Sequence, residues 1–130
     1  MKILVAYDGS KVAKDALRLA IQHAGVFKGT ILLVRSMVGG PEIPRKEFDD
    51  AEKDLQQQEL MLKGDGLACE TLLSVRGLEA GEDMVRIAAE KKADEIIIGI
   101  QRTSKVGKLL FGSTAQYIII NAPCPVVTVR

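Results

Sequence analysis

The strongest constraint on this chain is an alternation of two periods. Short runs suited to strands are followed, four times, by segments whose apolar residues recur every three or four positions. Residues 2–7 (Lys-Ile-Leu-Val-Ala-Tyr) form an apolar run closed by Asp8-Gly9-Ser10, as expected of a strand buried on both faces. Val12, Ala13, Ala16, Leu17, Ala20, Ala24 and Phe27 then follow at helical spacing. Ser10 suits the N-cap, and Gly25 and Gly29 mark the end. Ile31–Val34 reads as a second strand and residues 37–45, with Gly39, Gly40, Pro41 and Pro44, as a loop. Residues 46–63 are charged and glutamine-rich, with Phe48, Ala51, Leu55 and Leu62 on one stripe, which predicts a solvent-facing helix. Residues 68–75 suit a third strand, Ala80 to Ala88 a third helix, and 94–99 a fourth strand. Gly112-Ser113-Thr114 opens a fourth helix to about Asn121, and Val126–Val129 forms a fifth strand. Parallel neighbours need a crossover, and a helix supplies it. Right-handed crossovers place helices on both faces. The expected fold is therefore α/β: a doubly wound, five-stranded parallel sheet of flavodoxin or Rossmann type, with its first strand central, in one domain over residues 1–130.

Composition narrows the function. Eighteen Lys and Arg balance seventeen Asp and Glu for a net charge of +1, which argues against a nucleic-acid or membrane-surface partner. No apolar run is long enough to span a bilayer, and the start lacks a signal-peptide pattern, so the expectation is a soluble cytoplasmic protein. Cys69 and Cys124 are too few for a disulfide framework, and a single histidine, His23, leaves a zinc site or triad poorly supplied. Both cysteines are expected to pack as small apolar groups, and His23 as a half-buried packing residue of the first helix.

In a doubly wound sheet, ligands bind beyond the carboxyl ends of the strands, where the winding reverses. The segments there are Ala6 to Ser10, Val34-Arg35-Ser36, Val75-Arg76-Gly77 and Gly99 to Arg102. The richest stretch is Gly99 through Thr114. Its glycine at a strand terminus permits close approach of another group. Arg102, Lys105 and Lys108 bring three cations together, which either steer an anion or form a solvated loop. Gly112-Ser113-Thr114 then presents a helix start, whose free N–H groups and positive dipole end suit phosphate. A plain helix cap is the alternative reading.

Taken together these pieces resemble the universal stress protein family, single-domain bacterial and archaeal type. Ile-Leu-Val-Ala-Tyr-Asp-Gly-Ser with Ala16-Leu17 and Ala20 is similar to the family's opening strand, turn and helix. Ala93 to Gly99 is similar to its fourth strand, and Gly107 to Val129 to its last helix, Pro-Cys-Pro turn and final strand. Nucleotide-binding members carry Gly, two residues, Gly, nine residues, then Gly-Ser or Gly-Thr. Here Gly99, the nine residues Thr103 to Phe111, and Gly112-Ser113 keep that spacing, while Arg102 replaces the middle glycine. Arg102 either fills space the phosphates need, turns outward, or neutralises the phosphates itself.

The resemblance implies an adenine-nucleotide site for ATP, ADP or AMP. Ala6 and Tyr7 would border the adenosine, Asp8 the ribose or metal–phosphate region, and Ser36 the adenine. Gly99 would underlie the ribose and phosphates, and Gly112, Ser113 and Thr114 would donate to the phosphates. Mg²⁺ would accompany them, with Asp8 as the one carboxylate placed to help; an Asx-turn role for Asp8 is equally open. It also implies a homodimer through the edge strand Val126–Val129; an edge covered by its own helix is the alternative. The expected function is a nucleotide-binding stress-response module acting through conformation or an unidentified protein partner, without efficient catalysis. The alternative is a dimeric interaction module that binds no nucleotide. A flavin carrier fits poorly, since Asp8-Gly9-Ser10-Lys11 is no hydroxyl-rich phosphate loop. A receiver domain fits poorly because Val75-Arg76-Gly77 lacks a phospho-accepting Asp.

Overall fold

The computed structural model describes residues 1–100 and 112–130 in full and, between them, the backbone of 102–103 and 109–110. The chain runs β1 (Lys2–Ala6), α1 (Lys11–Phe27), β2 (Thr30–Met37), α2 (Arg45–Gly64), β3 (Ala68–Val75), α3 (Ala80–Glu90), β4 (Glu95–Gly99), β5 (Arg102–Thr103), β6 (Leu109–Leu110), α4 (Ser113–Asn121) and β7 (Val126–Val129). Five strands form one parallel sheet in the order β3-β2-β1-β4-β7, with β1 central as expected. The winding therefore reverses between β1 and β4. The expected doubly wound α/β fold is present, in the Rossmann-type half order.

Alternation along each strand builds two cores. Ile3, Val5 and Tyr7 of the first strand segment, Ile31 and Leu33 of β2, and Ile97 of β4 face α1 and α2. Leu4, Leu32, Val34, Ile96 and Ile98 face α3 and α4. Strands buried on both sides must be apolar throughout, so the runs seen in the sequence are continuous rather than alternating.

Several boundaries depart from the sequence expectation. α1 ends at Phe27, within the expected Gly25–Gly29 bracket, but the left-handed cap at φ 52° falls on Lys28 rather than on a glycine. Gly29 is needed for a different reason, since a Cβ there would lie 2.9 Å from the Met1 carbonyl oxygen. β2 continues three residues past Val34, pairing with β3 up to Met37 opposite Val75. The last β1–β2 pair is Ala6 with Val34, so β2 and β3 stand beyond the end of β1 as a step. The basic loop also carries an unexpected two-residue antiparallel ladder, Arg102 with Leu110 and Thr103 with Leu109.

Candidate functional site

A cavity of about 410 Å³ opens over the carboxyl ends of β1 and β4, at the winding reversal. Its floor is Ala6, Ile98 and Gly99; its walls include Val12 and Ala13 of α1, Ser36 of β2, Met84 of α3, and Gly112 to Ala115 of α4. The described members of the expected site are thus brought together: Ala6, Tyr7, Asp8, Ser36, Gly99, Gly112, Ser113 and Thr114 all line it. The Arg102 side chain, Lys105 and Lys108 lie outside the described residues.

The residues do different work from one another. Asp8 Oδ1 accepts from the Ser10 amide at 2.9 Å, and Gly9 follows at φ 81°, so the Asx-turn role is real. Ser10 Oγ accepts from the Ala13 amide at 3.2 Å and caps α1 as expected. Tyr7 lines the cavity and also packs in the core. Its side chain is buried in the α1–α2 core. Its hydroxyl has no hydrogen-bond partner among the described residues. Burial, with Asp54 and Asp8 nearby, raises its pKa.

Gly99 has a packing role of its own. A Cβ there would sit 2.6 Å from the backbone C and O atoms of Val12. The absent side chain lets the start of α1 lie directly on the end of β4. Gly112 is the opposite case: a Cβ would meet no described atom within 4 Å. It caps α4 with no side-chain hydrogen bond of its own, and the helix start carries the exposed Ser113 and Thr114 at the cavity. Gly81 lets α3 approach closely enough to hold that helix start, since a Cβ there would lie 3.2 Å from the Thr114 carbonyl oxygen.

Two charged residues were not anticipated as site members. Arg35 lines the cavity and donates to the Asp8 carbonyl at 3.3 Å. It lies just where the carboxyl-end rule points, and that rule was the available signal. Asp83, in the first turn of α3, is 0% exposed. Its Oδ2 accepts from Ser36 Oγ at 2.5 Å, and its Oδ1 accepts from Arg76 at 2.8 and 2.7 Å. Arg76 also pairs with Glu90 at 2.9 Å. Burial alone raises the Asp83 pKa. Hydrogen bonds from Ser36, Ser74 and Arg76, with the Arg76 charge, outweigh that and hold it below the ordinary aspartate range. Nothing in the sequence distinguishes this acid from others in a helix's first turn.

The remaining expectations concern residues away from the cavity. His23 is half-buried and more than packing: its Nδ1 lies 2.6 Å from Glu95 Oε1, tying α1 to the start of β4. Cys69 is buried in the α1–α2 core, and burial pushes its thiol up to about 11. Cys124 packs against the other core. Among the described residues no cluster of three or more His, Cys, Asp or Glu could hold a metal, and no helix is long and apolar enough to cross a membrane.

The sequence matches the Universal stress protein family over residues 1–130, and the chain belongs to that family. It is 32% identical to a universal stress protein of Thermus aquaticus, over 98% of this chain and 97% of that protein. A universal stress protein from Archaeoglobus fulgidus superposes with a TM-score of 0.88 at 34% identity, covering 100% of this chain and 98% of that one. The structure of the universal stress protein from Archaeoglobus fulgidus in complex with dAMP gives a TM-score of 0.83 at 31% identity, over 100% and 98% of the two chains.

Proposed function

We propose that this protein is an adenine-nucleotide-binding module of the stress response, which works by conformation or partner contact rather than by turnover. The observation that carries this reading is the cavity at the β1–β4 reversal with the α4 start on its wall. Its chemistry is divided in the way a nucleotide requires. Ala6, Val12, Met84, Ile98 and Ile118 offer apolar surface for a base and sugar. The amides of α4, with Ser113 and Thr114, offer donors for phosphate. A Cβ at Gly112 would meet no described atom within 4 Å, which is consistent with space beside the helix start. A relative 31% identical to this chain binds dAMP, which supports the same class of ligand here. A Mg²⁺ ion would arrive with the phosphates. Asp8 is the one carboxylate lining the cavity among the described residues, too few to hold the ion alone. Asp8 and Arg35 are the only charged residues lining it among those described, and that set suits binding better than proton transfer.

The decisive measurement is mass spectrometry of ligand released from freshly purified, denatured protein, with melting curves in ATP, ADP and AMP. Bound adenine nucleotide, or a rise in melting temperature of several degrees at saturating ligand, is the expected result. Neither occurring overturns the reading.

The Arg102 substitution favours a second reading, a dimeric interaction module without nucleotide. Arg102→Gly separates the two. Under the second reading the change creates affinity for ATP; in a binder that uses the guanidinium it weakens it. Either way we propose a homodimer paired through β7. This strand is a sheet edge, and the adjacent α4 exposes Tyr117, Ile119 and Ile120.

A further inference from the structure

We propose that Asp83 fixes the Ser36 hydroxyl as a hydrogen-bond acceptor toward the cavity, and so selects a ligand whose base presents an N–H donor there: a 6-aminopurine over a 6-oxopurine. This rests on the nucleotide reading above and adds to it the device that discriminates between bases.

A serine hydroxyl has one proton and two lone pairs. Usually it rotates to suit its ligand and discriminates poorly between donors and acceptors. Here the rotation is blocked. Ser36 Oγ lies 2.5 Å from Asp83 Oδ2, in the range of a charge-assisted O–H to carboxylate bond. An ionised carboxylate has no proton to give, so the shared proton is the serine's. Asp83 is kept ionised by Arg76, two of whose nitrogens reach the other oxygen, Oδ1, at 2.8 and 2.7 Å. Ser74, opposite Ser36 in the β2–β3 register, also bonds to Asp83. Each carboxylate oxygen thus has a fixed donor, and the acid is 0% exposed, so water does not compete for it.

Placement completes the device. Leu32 and Val34 face the α3–α4 side of the sheet, and Ser36, two residues on, shares that face and lines the cavity. With its proton turned back to Asp83, Ser36 offers the cavity only lone pairs. An exocyclic amine meets them as a donor. A carbonyl oxygen at the same position meets them lone pair to lone pair, and a buried acceptor left unpaired is costly.

The test compares AMP with IMP, which differ at the position-6 amine and carbonyl, by calorimetry on the intact protein and on two variants. The expected result is a preference for AMP of about tenfold or more, from one satisfied against one unsatisfied hydrogen bond. Ser36→Ala should reduce the preference to near unity, chiefly by weakening AMP. Asp83→Asn should do so by strengthening IMP, because the amide donates to Ser36 and frees its proton. Equal affinity of the unaltered protein for AMP and IMP overturns the proposal and leaves the nucleotide reading standing. Failure of both nucleotides to bind overturns this proposal and the nucleotide reading together. A readout without ligand guards against a variant that folds poorly. The Ser36 hydroxyl proton should be visible and slowly exchanging in the proton NMR spectrum of the unaltered protein, and its absence also overturns the proposal.

Discussion

Single side chains in this molecule are constrained chiefly by what lies against them, and two make this measurable. Gly99 touches the backbone of Val12, which cannot retreat as a flexible side chain can. Gly99→Ala is therefore expected to lower unfolding stability by about 1–3 kcal/mol, from overpacking alone. Chemical denaturation without ligand checks this; an unchanged midpoint would show that α1 can shift away. Tyr7 poses the converse question. Its buried hydroxyl has no partner among the described residues, so little is lost by deleting it. Tyr7→Phe is expected to match or exceed the parent stability and to leave nucleotide affinity unaltered. A weakened affinity would return the hydroxyl to the site. The sequence placed both residues at the right end of the right strand. It could not show which face the Tyr7 side chain occupies, because β1 is apolar on both faces.

At the scale of elements, the helices and strands follow from periodicity, and the exceptions have local causes. α1 ends at Phe27, between the two glycines that bracket its expected end, and Lys28 rather than a glycine supplies the left-handed cap. β2 was read too short because Arg35 and Ser36 break its apolar run. Their polarity reflects the site above the sheet, not the end of pairing with β3. α3 was located correctly, yet its most consequential residue was illegible. Asp83 reads as a favourable first-turn acid, and only the tertiary fold buries it against Ser36 and Arg76. The consequence for α3 is a pH dependence of defined sign. The Asp83 pKa is lowered on folding, so its contribution is complete above the unfolded value of about 4 and is lost as pH falls through the folded value. Asp83→Asn should cost roughly 2–4 kcal/mol near neutral pH and flatten the acid limb of the stability curve. A pH titration of the denaturation midpoint, run on parent and variant, checks both halves. Parallel acid limbs would remove Asp83 as their source.

For the whole molecule, the sheet ends in two unequal edges. β3 carries eight residues and is covered on one face by α2; β7 carries four and closes the chain. Ile96 donates to the Pro125 carbonyl and Ile100 to the Val129 carbonyl. The N–H and C=O groups of Val126 and Thr128 therefore point away from β4. Thr128→Pro removes an outward donor while leaving the β4 ladder intact. The expected outcome is conversion of a dimer to a folded monomer, read by light scattering and melting temperature. A dimer that survives the change would move the interface elsewhere. The five strands of the main sheet, their parallel pairing and the central place of β1 were readable in the sequence, whereas the short β5–β6 ladder was not. The shape of the crevice was not, since it depends on how far each strand runs.

That last dimension has a consequence of its own. β2 and β3 outrun β1 by three paired residues, a ledge of about 10 Å. A nucleotide bound as proposed, with its phosphates at the start of α4, would have its base against this ledge. On that reading, elongation would be permitted at the tail and forbidden at the head. A resin tethered through the terminal phosphate would retain this protein, while one coupled through the purine edge would let it pass.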